Sequence, residues 1–331
     1  MESPTSISPP ENFRVDEIRA ENAGEMCHLF ENIFGKPMSA ACWQWKYPLS
    51  GGHGVGVWDG DELVAHYGGA GVEVVFEGKL VHAVQICDVM VSPKVRHAVR
   101  KHSPMFVAAS TFIERFIGYG QEFLLGFGFP SNRALHLAEH LRLYAVVGTM
   151  SELRFPAVTS RLSDWLYGWR QIEPDSVAAC ADTLDALWQQ MQASMPAAVL
   201  VNKNAARVNY RFVQHPHHRY HLWLLRQRLT GQVLTAVVLK EEPEQILLMD
   251  LIGSQAHFAT ALRQLALAVK RRWTQPLVFW LSSVHAEQLQ IAGMQRQALP
   301  ISTPANIWTK GPAPAALMNR WWLTAGDTDF L

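Results

Sequence analysis

The chain has 331 residues, 49% hydrophobic and 18% charged, with 29 Lys and Arg against 29 Asp and Glu. That length suits two domains, each able to bury a core, and the zero net charge excludes a whole-chain basic surface for nucleic acid. No apolar run approaches the ~18 residues of a membrane span. The Ser/Pro-rich start, residues 1–12, lacks the basic and apolar regions of a secretory signal and reads as a disordered tail.

In chain order, Phe13 to Ile18 reads as a strand and Glu21 to Phe34 as a helix. Met26, Leu29, Phe30 and Ile33 recur at helical spacing, and Gly35 with Pro37 ends the helix. Ser39 can cap a short helix through Trp45, stopped by Pro48. Val55 to Trp58 and Leu63 to Tyr67 flank Asp59-Gly60-Asp61 as a hairpin; Val72 to Phe76 and Leu80 to Val91 flank Glu77-Gly78-Lys79 as another. A helix from Met105 to Ile117 follows, then Phe123 to Phe127, an apolar run suited to a strand buried on both faces. Ser131 to Leu143 reads as a helix and Tyr144 to Val147 as a strand. Residues 156–178 have no period and are expected to connect an N-terminal domain, 13–155, to a C-terminal one, 179–331. Asp182 to Met195 is an amphipathic helix, and Phe258 to Trp273 another.

The pattern runs twice. Trp45-Lys46-Tyr47 is matched by Tyr210-Arg211-Phe212, and the Gly-led run Gly60 to Ala65 by Gly231 to Ala236. The strand Ile86 to Val91, with Asp88 near its end, is matched by Leu247 to Ile252 with Asp250. Phe123 to Phe127 is matched by Leu277 to Leu281. A unit this long is a domain and not a solenoid repeat. The fold class expected is α/β: two tandem mixed sheets, each flanked by helices.

The run from Asp88 through Val91-Ser92-Pro93 to Arg96, the Gly126-Phe127-Gly128-Phe129-Pro130 segment and the following helix together resemble the GNAT superfamily of N-acetyltransferases, in its tandem bacterial form. The resemblance implies acetyl-CoA or another acyl-CoA as co-substrate. It implies that strand residues Val89, Met90 and Val91 line the pantetheine, and that Arg96, Arg100, Lys101 and Ser103 meet the phosphates at a helix N-terminus. The sequence departs from the family where glycines follow that arginine: His97 and Val99 stand there. The stretch 94–102 therefore reads either as a longer phosphate loop or as a solvated basic loop. In the later helix, Ser131 occupies the family's Asn position and Ala138 that of its thiol-protonating Tyr. Tyr144 is the candidate substitute, with packing at a strand start as its other reading.

Asp88 is the candidate general base for an amine, or else it bonds backbone donors at a sheet opening; Asp250 carries the same ambiguity. His66, Tyr67 and Ser131 are candidate substrate contacts. His215, His217 and His218 surround Pro216 but have no acidic partner at fixed spacing, so a loop turn is the plain reading and no metal site is expected. Trp43, Trp45 and Tyr47 read as core. The four cysteines, Cys27, Cys42, Cys87 and Cys180, lack ligand spacing and read as buried thiols in a reducing, cytoplasmic setting. The second copy, with the short uncharged Gly253-Ser254-Gln255-Ala256 after Asp250, is not expected to hold a nucleotide.

The resemblance implies an acyl-CoA-dependent N-acyltransferase acting on a small amine or amino-sugar, with no nucleic-acid or membrane partner. Two other readings stand beside it: a degenerate scaffold that binds a ligand or partner without catalysis, and a FemAB-like aminoacyl transferase, against which the neutral charge counts.

Overall fold

The computed structural model describes residues 13–95, 103–155 and 158–328. The expected tail, 1–12, and the expected phosphate contacts Arg96, Arg100 and Lys101 lie outside these residues. The chain divides into two compact units. The first takes residues up to 73, 81–147 and 303–316; the second takes 74–80, 148–302 and 317 onward.

The first unit contains β1 (Phe13–Glu17), α1 (Ala23–Phe34), α2 (Ala40–Lys46), β2 (His53–Asp59), most of β3 (Glu62–Phe76) and of β4 (Lys79–Val91), α3 (Pro104–Phe116), β5 (Leu125–Gly128), α4 (Asn132–His140) and the start of β6 (Tyr144–Phe155). Its sheet runs β1-β2-β3-β4-β5. The β1/β2 and β2/β3 pairs are antiparallel, and β4/β5, joined by the α3 crossover, is parallel. Local chemistry sets the ends. Gly35, with φ 69°, closes α1, and the Ser39 hydroxyl accepts from the Cys42 amide at 3.1 Å to open α2. The β3–β4 turn places Glu77 and Gly78 at φ 51° and 73°, the left-handed pair of a primed hairpin.

β3 is one strand of 15 residues where two shorter ones are expected from the sequence. Gly68, Gly69 and Gly71 read as a break but serve close approach. A Cβ on Gly69 would lie 2.3 Å from Val84 Cγ2, and one on Gly71 would lie 2.4 Å from the Ser50 carbonyl oxygen. The strand thus carries His66 and Tyr67 into the middle of the sheet. One face buries Val55, Val57, Tyr67 and Val84 against Phe106, Phe112 and Ile113 of α3. The other buries Trp58, Cys87 and Met90 against Met26, Leu29 and Trp43 of the first two helices.

The second unit contains the rest of β6, β7 (Tyr167–Ile172), α5 (Ala181–Ser194), β8 (Val199–Val201), α6 (Ala205–Val208), β9 (His221–Gln227), β10 (Val233–Glu241), β11 (Ile246–Gly253), α7 (Phe258–Arg272), β12 (Leu277–Ser282), α8 (Ser283–Gln288), most of β13 (Gln295–Asn306) and β14 (Trp321–Trp322). Its sheet runs β13-β6-β12-β11-β10-β9-β7. The stretch β7-β9-β10-β11-β12 repeats the order of the first sheet: antiparallel neighbours, then a parallel pair closed by a helical crossover. Two mixed sheets with flanking helices are therefore present, as the repeated pattern implies. Within the stretch 156–178, Tyr167–Ile172 is a strand paired along its length with β9. It shows no alternation because it is an edge strand, steadied by contacts such as Trp169 on Trp223, with ring centroids 6.0 Å apart.

Candidate active-site cleft

In the first unit the parallel pairing of β4 with β5 ends at Ile86↔Gly128, where Phe129 and Pro130 carry the chain away. Beyond that point β4 forms one wall of a cavity of about 330 Å³. Alternation turns Val89 and Val91 into it and sends Met90 to the core on the opposite face. The N-terminus of α3, at Ser103, Pro104 and Met105, forms a second wall. The start of α4, with Ser131, Arg133 and Ala134, forms a third. Both helices are capped by serine: Ser103 Oγ accepts from the Phe106 amide at 3.3 Å, and Ser131 Oγ from the Ala134 amide at 3.4 Å. Two helix N-termini thus flank one mostly apolar cavity, and the exposed Arg133 of α4 is part of its lining. That combination suits a ligand with an anionic end and an apolar, extended body.

Tyr67 from β3 and Tyr144 from β6 line the same cavity, and their hydroxyls are hydrogen-bonded to each other. Burial pushes the Tyr144 phenol well above its ordinary range, so it stays a proton donor at neutral pH.

Asp88 lies behind this wall. It is buried, and its backbone is left-handed at φ 49°. Lys46 Nζ lies 2.7 Å from Oδ1, and the Tyr47 hydroxyl donates to Oδ2 at 2.7 Å. His66, fully buried, hydrogen-bonds through Nδ1 to the Asp88 carbonyl oxygen at 2.7 Å. That bond makes Nδ1 the protonated nitrogen, and burial lowers the imidazole pKa. Burial and the neighbouring carboxylate together push the Tyr47 phenol well above its usual value. Three side chains, from α2, the residue that caps its end, and β3, therefore hold one residue of β4 in a conformation that costs a non-glycine residue on the order of 1–3 kcal/mol. They do so at the point where the strand leaves its parallel partner.

The second unit repeats the pair with a different lysine. Lys203 Nζ lies 2.7 Å from Asp250 Oδ2 and 3.1 Å from Asp327 Oδ1, all buried. Burial alone would lower the Lys203 pKa; the two carboxylates reverse this and raise it. Arg211, the expected counterpart of Lys46, instead donates to the carbonyl oxygens of Gly326 and Thr328, each at 2.9 Å.

Of the residues singled out in the sequence, the cavity brings together Tyr67, Val89, Val91, Ser103, Ser131 and Tyr144. Asp88, His66 and Met90 stand outside its lining. The aromatic run around Lys46 hid its role, since a lysine flanked by Trp45 and Tyr47 reads as a chain turning past the core. A lysine that near-apolar context forces inward is the signal for a buried carboxylate elsewhere. Leu137, Ala138, Leu141 and Leu143 also line the cavity and are indistinguishable from core by spacing.

His215 Nδ1 accepts from the amides of His217 and His218 at 3.2 and 3.1 Å, and its pKa is lowered to about 3, chiefly by burial. The trio builds a turn. Among the described residues no His, Cys, Asp and Glu group could hold a metal, and no helix is long and apolar enough to cross a membrane. None of the four cysteines is in a disulfide; Cys87 and Cys180 are buried, and Cys27 and Cys42 half-buried.

The sequence of residues 14–105 matches the model of the acetyltransferase (GNAT) domain. No curated protein matches the chain. Solved structures similar in fold include a conserved protein of Enterococcus faecalis V583 described as a probable N-acyltransferase. Its TM-score is 0.68 at 11% identity, over 88% of this chain and 72% of that one. A GCN5-related N-acetyltransferase from Kribbella flavida gives 0.64 at 16% identity, over 88% and 70%. One from Anabaena variabilis ATCC 29413 gives 0.63 at 10%, over 90% and 73%. Residues 14–105 thus carry the sequence match to the acetyltransferase (GNAT) domain, and the chain shares the fold of these solved structures.

Proposed function

We propose that the first unit binds an acyl-CoA in the cavity between β4, α3 and α4 and transfers the acyl group to the amine of a small acceptor such as an amino-sugar. The observation that carries this reading is the convergence of two capped helix N-termini and Arg133 on one apolar cavity walled by the free-running end of β4. When bound, the thioester supplies the activated acyl group. The helix ends and Arg133 hold the phosphates by dipole and charge. Val89 and Val91 present β4 backbone to an extended, amide-bearing chain. In the transfer a C–N bond forms and the C–S bond breaks. The Tyr144 hydroxyl, held by Tyr67, gives its proton to the departing sulfur, and the amine's proton returns through solvent to Tyr144. Asp88 acts at one remove, by holding the strand and not by touching substrate. Thiols outside any disulfide agree with a reducing, cytoplasmic setting.

A scaffold without catalysis is the second reading, favoured by His97 and Val99 where family members carry glycines. Calorimetric titration with acetyl-CoA and longer acyl-CoAs, followed by a thioester-consumption assay over an amine panel, separates the two. Saturable binding with turnover supports the enzyme; binding without turnover supports the scaffold. Ala138→Trp, which fills the cavity from α4, should abolish binding with little change in melting temperature. Undiminished affinity in that variant would move the ligand elsewhere.

A further inference from the structure

In the second unit the parallel pairing of β11 with β12 ends at Leu248↔Phe279, although β12 continues to Ser282. The register of β10 on β11 shifts there. Val238 faces Asp250 and Leu239 faces Leu248, so Met249 is an extra, bulged residue. The strands open as β4 and β5 do in the first unit. Here a segment of the same chain enters the opening. Leu323 and Ser282 exchange two hydrogen bonds: the Ser282 amide donates to the Leu323 carbonyl at 3.0 Å, and the Leu323 amide to Ser282 Oγ at 2.9 Å. Thr324 bridges Leu281 in antiparallel fashion. On the β11 side, Gly326 lies so close that a Cβ there would sit 2.7 Å from the Met249 carbonyl oxygen. Lys203 clamps Asp327 beside Asp250, and Arg211 holds the carbonyls of Gly326 and Thr328. Residues 321–328 are all buried.

We infer that the β11/β12 opening is a binding cleft for a peptide and that the chain's own segment Trp321–Thr328 is its occupant, with Trp321–Trp322 paired to β8 and the turn Ala325–Asp327 seated at the opening. The segment is bound as peptides are bound at sheet openings. Main-chain bonds to one strand give affinity. A residue without a side chain passes the bulge, and an acidic anchor meets a buried lysine. Ligand recognition and fold closure are thus separable: Ser282, Lys203 and Arg211 form the receiving side, and 321–328 the received one. The inference does not depend on acyl transfer in the first unit.

The test uses the full chain with a protease site inserted near the exposed Ala313 and Ala315. After cleavage, a labelled synthetic peptide of residues 317–331 is added in excess. The expected result is a nicked protein that keeps its own fragment on gel filtration at micromolar concentration and exchanges it saturably for the labelled one. Peptides carrying Asp327→Asn or Gly326→Val should bind at least about 100-fold more weakly, because the first removes a carboxylate that meets Lys203 and accepts from the Thr324 amide and the second overlaps the bulge. Loss of cooperative unfolding on cleavage, retention without exchange, release without rebinding, or equal binding of the variant peptides would each overturn the cleft.

Discussion

Lys46 Nζ sits 2.7 Å from Asp88 Oδ1, and Asp88 is the one residue of β4 whose backbone is left-handed. The second unit sets Lys203 against Asp250 at the matching strand. A buried pair of this kind contributes little over an apolar replacement, but removing one partner is costly. Asp88→Asn is therefore expected to destabilise the protein by about 3–5 kcal/mol, since it breaks the buried ion pair with Lys46 and weakens the acceptor that Tyr47 donates to. Lys46→Met combined with Asp88→Asn should recover a large part of that loss. Denaturant unfolding of the wild type, both single variants and the double variant reads this directly. If Asp88→Asn unfolds like the wild type but loses rate, Asp88 is a general base and the positioning role is wrong.

The paired hydroxyls of Tyr67 and Tyr144 give a stability signal and a rate signal. Tyr67→Phe or Tyr144→Phe alone leaves a buried hydroxyl unpartnered and should cost about 1–3 kcal/mol, whereas the double Phe variant should cost less than the sum. In an acyl-transfer assay Tyr144→Phe should lower kcat by about 10²–10⁴ and Tyr67→Phe by less. Equal, small rate losses in both would remove Tyr144 from the chemistry.

Asp164 is clamped by Arg263, Gln264 and the Arg161 amide, and its hydrogen bond to the Arg263 guanidinium holds its carboxyl far below the usual range. A depressed folded-state pKa means stability that is present above the unfolded value, about 3.9, and is lost as pH falls below it. Asp164→Asn should thus lower the melting temperature at pH 7, with the gap to wild type shrinking below about pH 4. A gap that stays constant down to pH 3 would show that the carboxylate's charge is not what the clamp uses.

Gly69 offers a test of the long β3 strand. Its missing Cβ is where Val84 Cγ2 packs, so Gly69→Val should destabilise by about 1–3 kcal/mol or more. Thermal melts that leave the variant level with wild type would mean that β3 and β4 lie farther apart than 62–76 in one strand allows.

The duplicated element order was legible because each copy spends its apolar residues in the same sequence of hairpin, parallel strand and helix, and periodicity reports such spending directly. β3 was misdivided because glycines that allow close packing look like glycines that break a strand. β7 was missed because an edge strand needs no alternation. In the candidate site, serine caps and strand residues could be read locally. Lys46 with Asp88, and Lys203 with Asp250 and Asp327, could not, since each pair closes over 42, 47 or 124 positions and no short-range pattern encodes a distance of that kind.

Both lysine–aspartate pairs are buried at the splayed strands, and Asp88 and Lys46 line no part of the cavity on the first of them. The parts that hold the first strand at its splay are thus different from the parts that line the cavity. Residues on the cavity face can drift between generations, widening or narrowing what is admitted, while the frame stays fixed. The same separation lets an engineer randomise Val89, Leu137 and Ala138 and still recover folded protein from most clones.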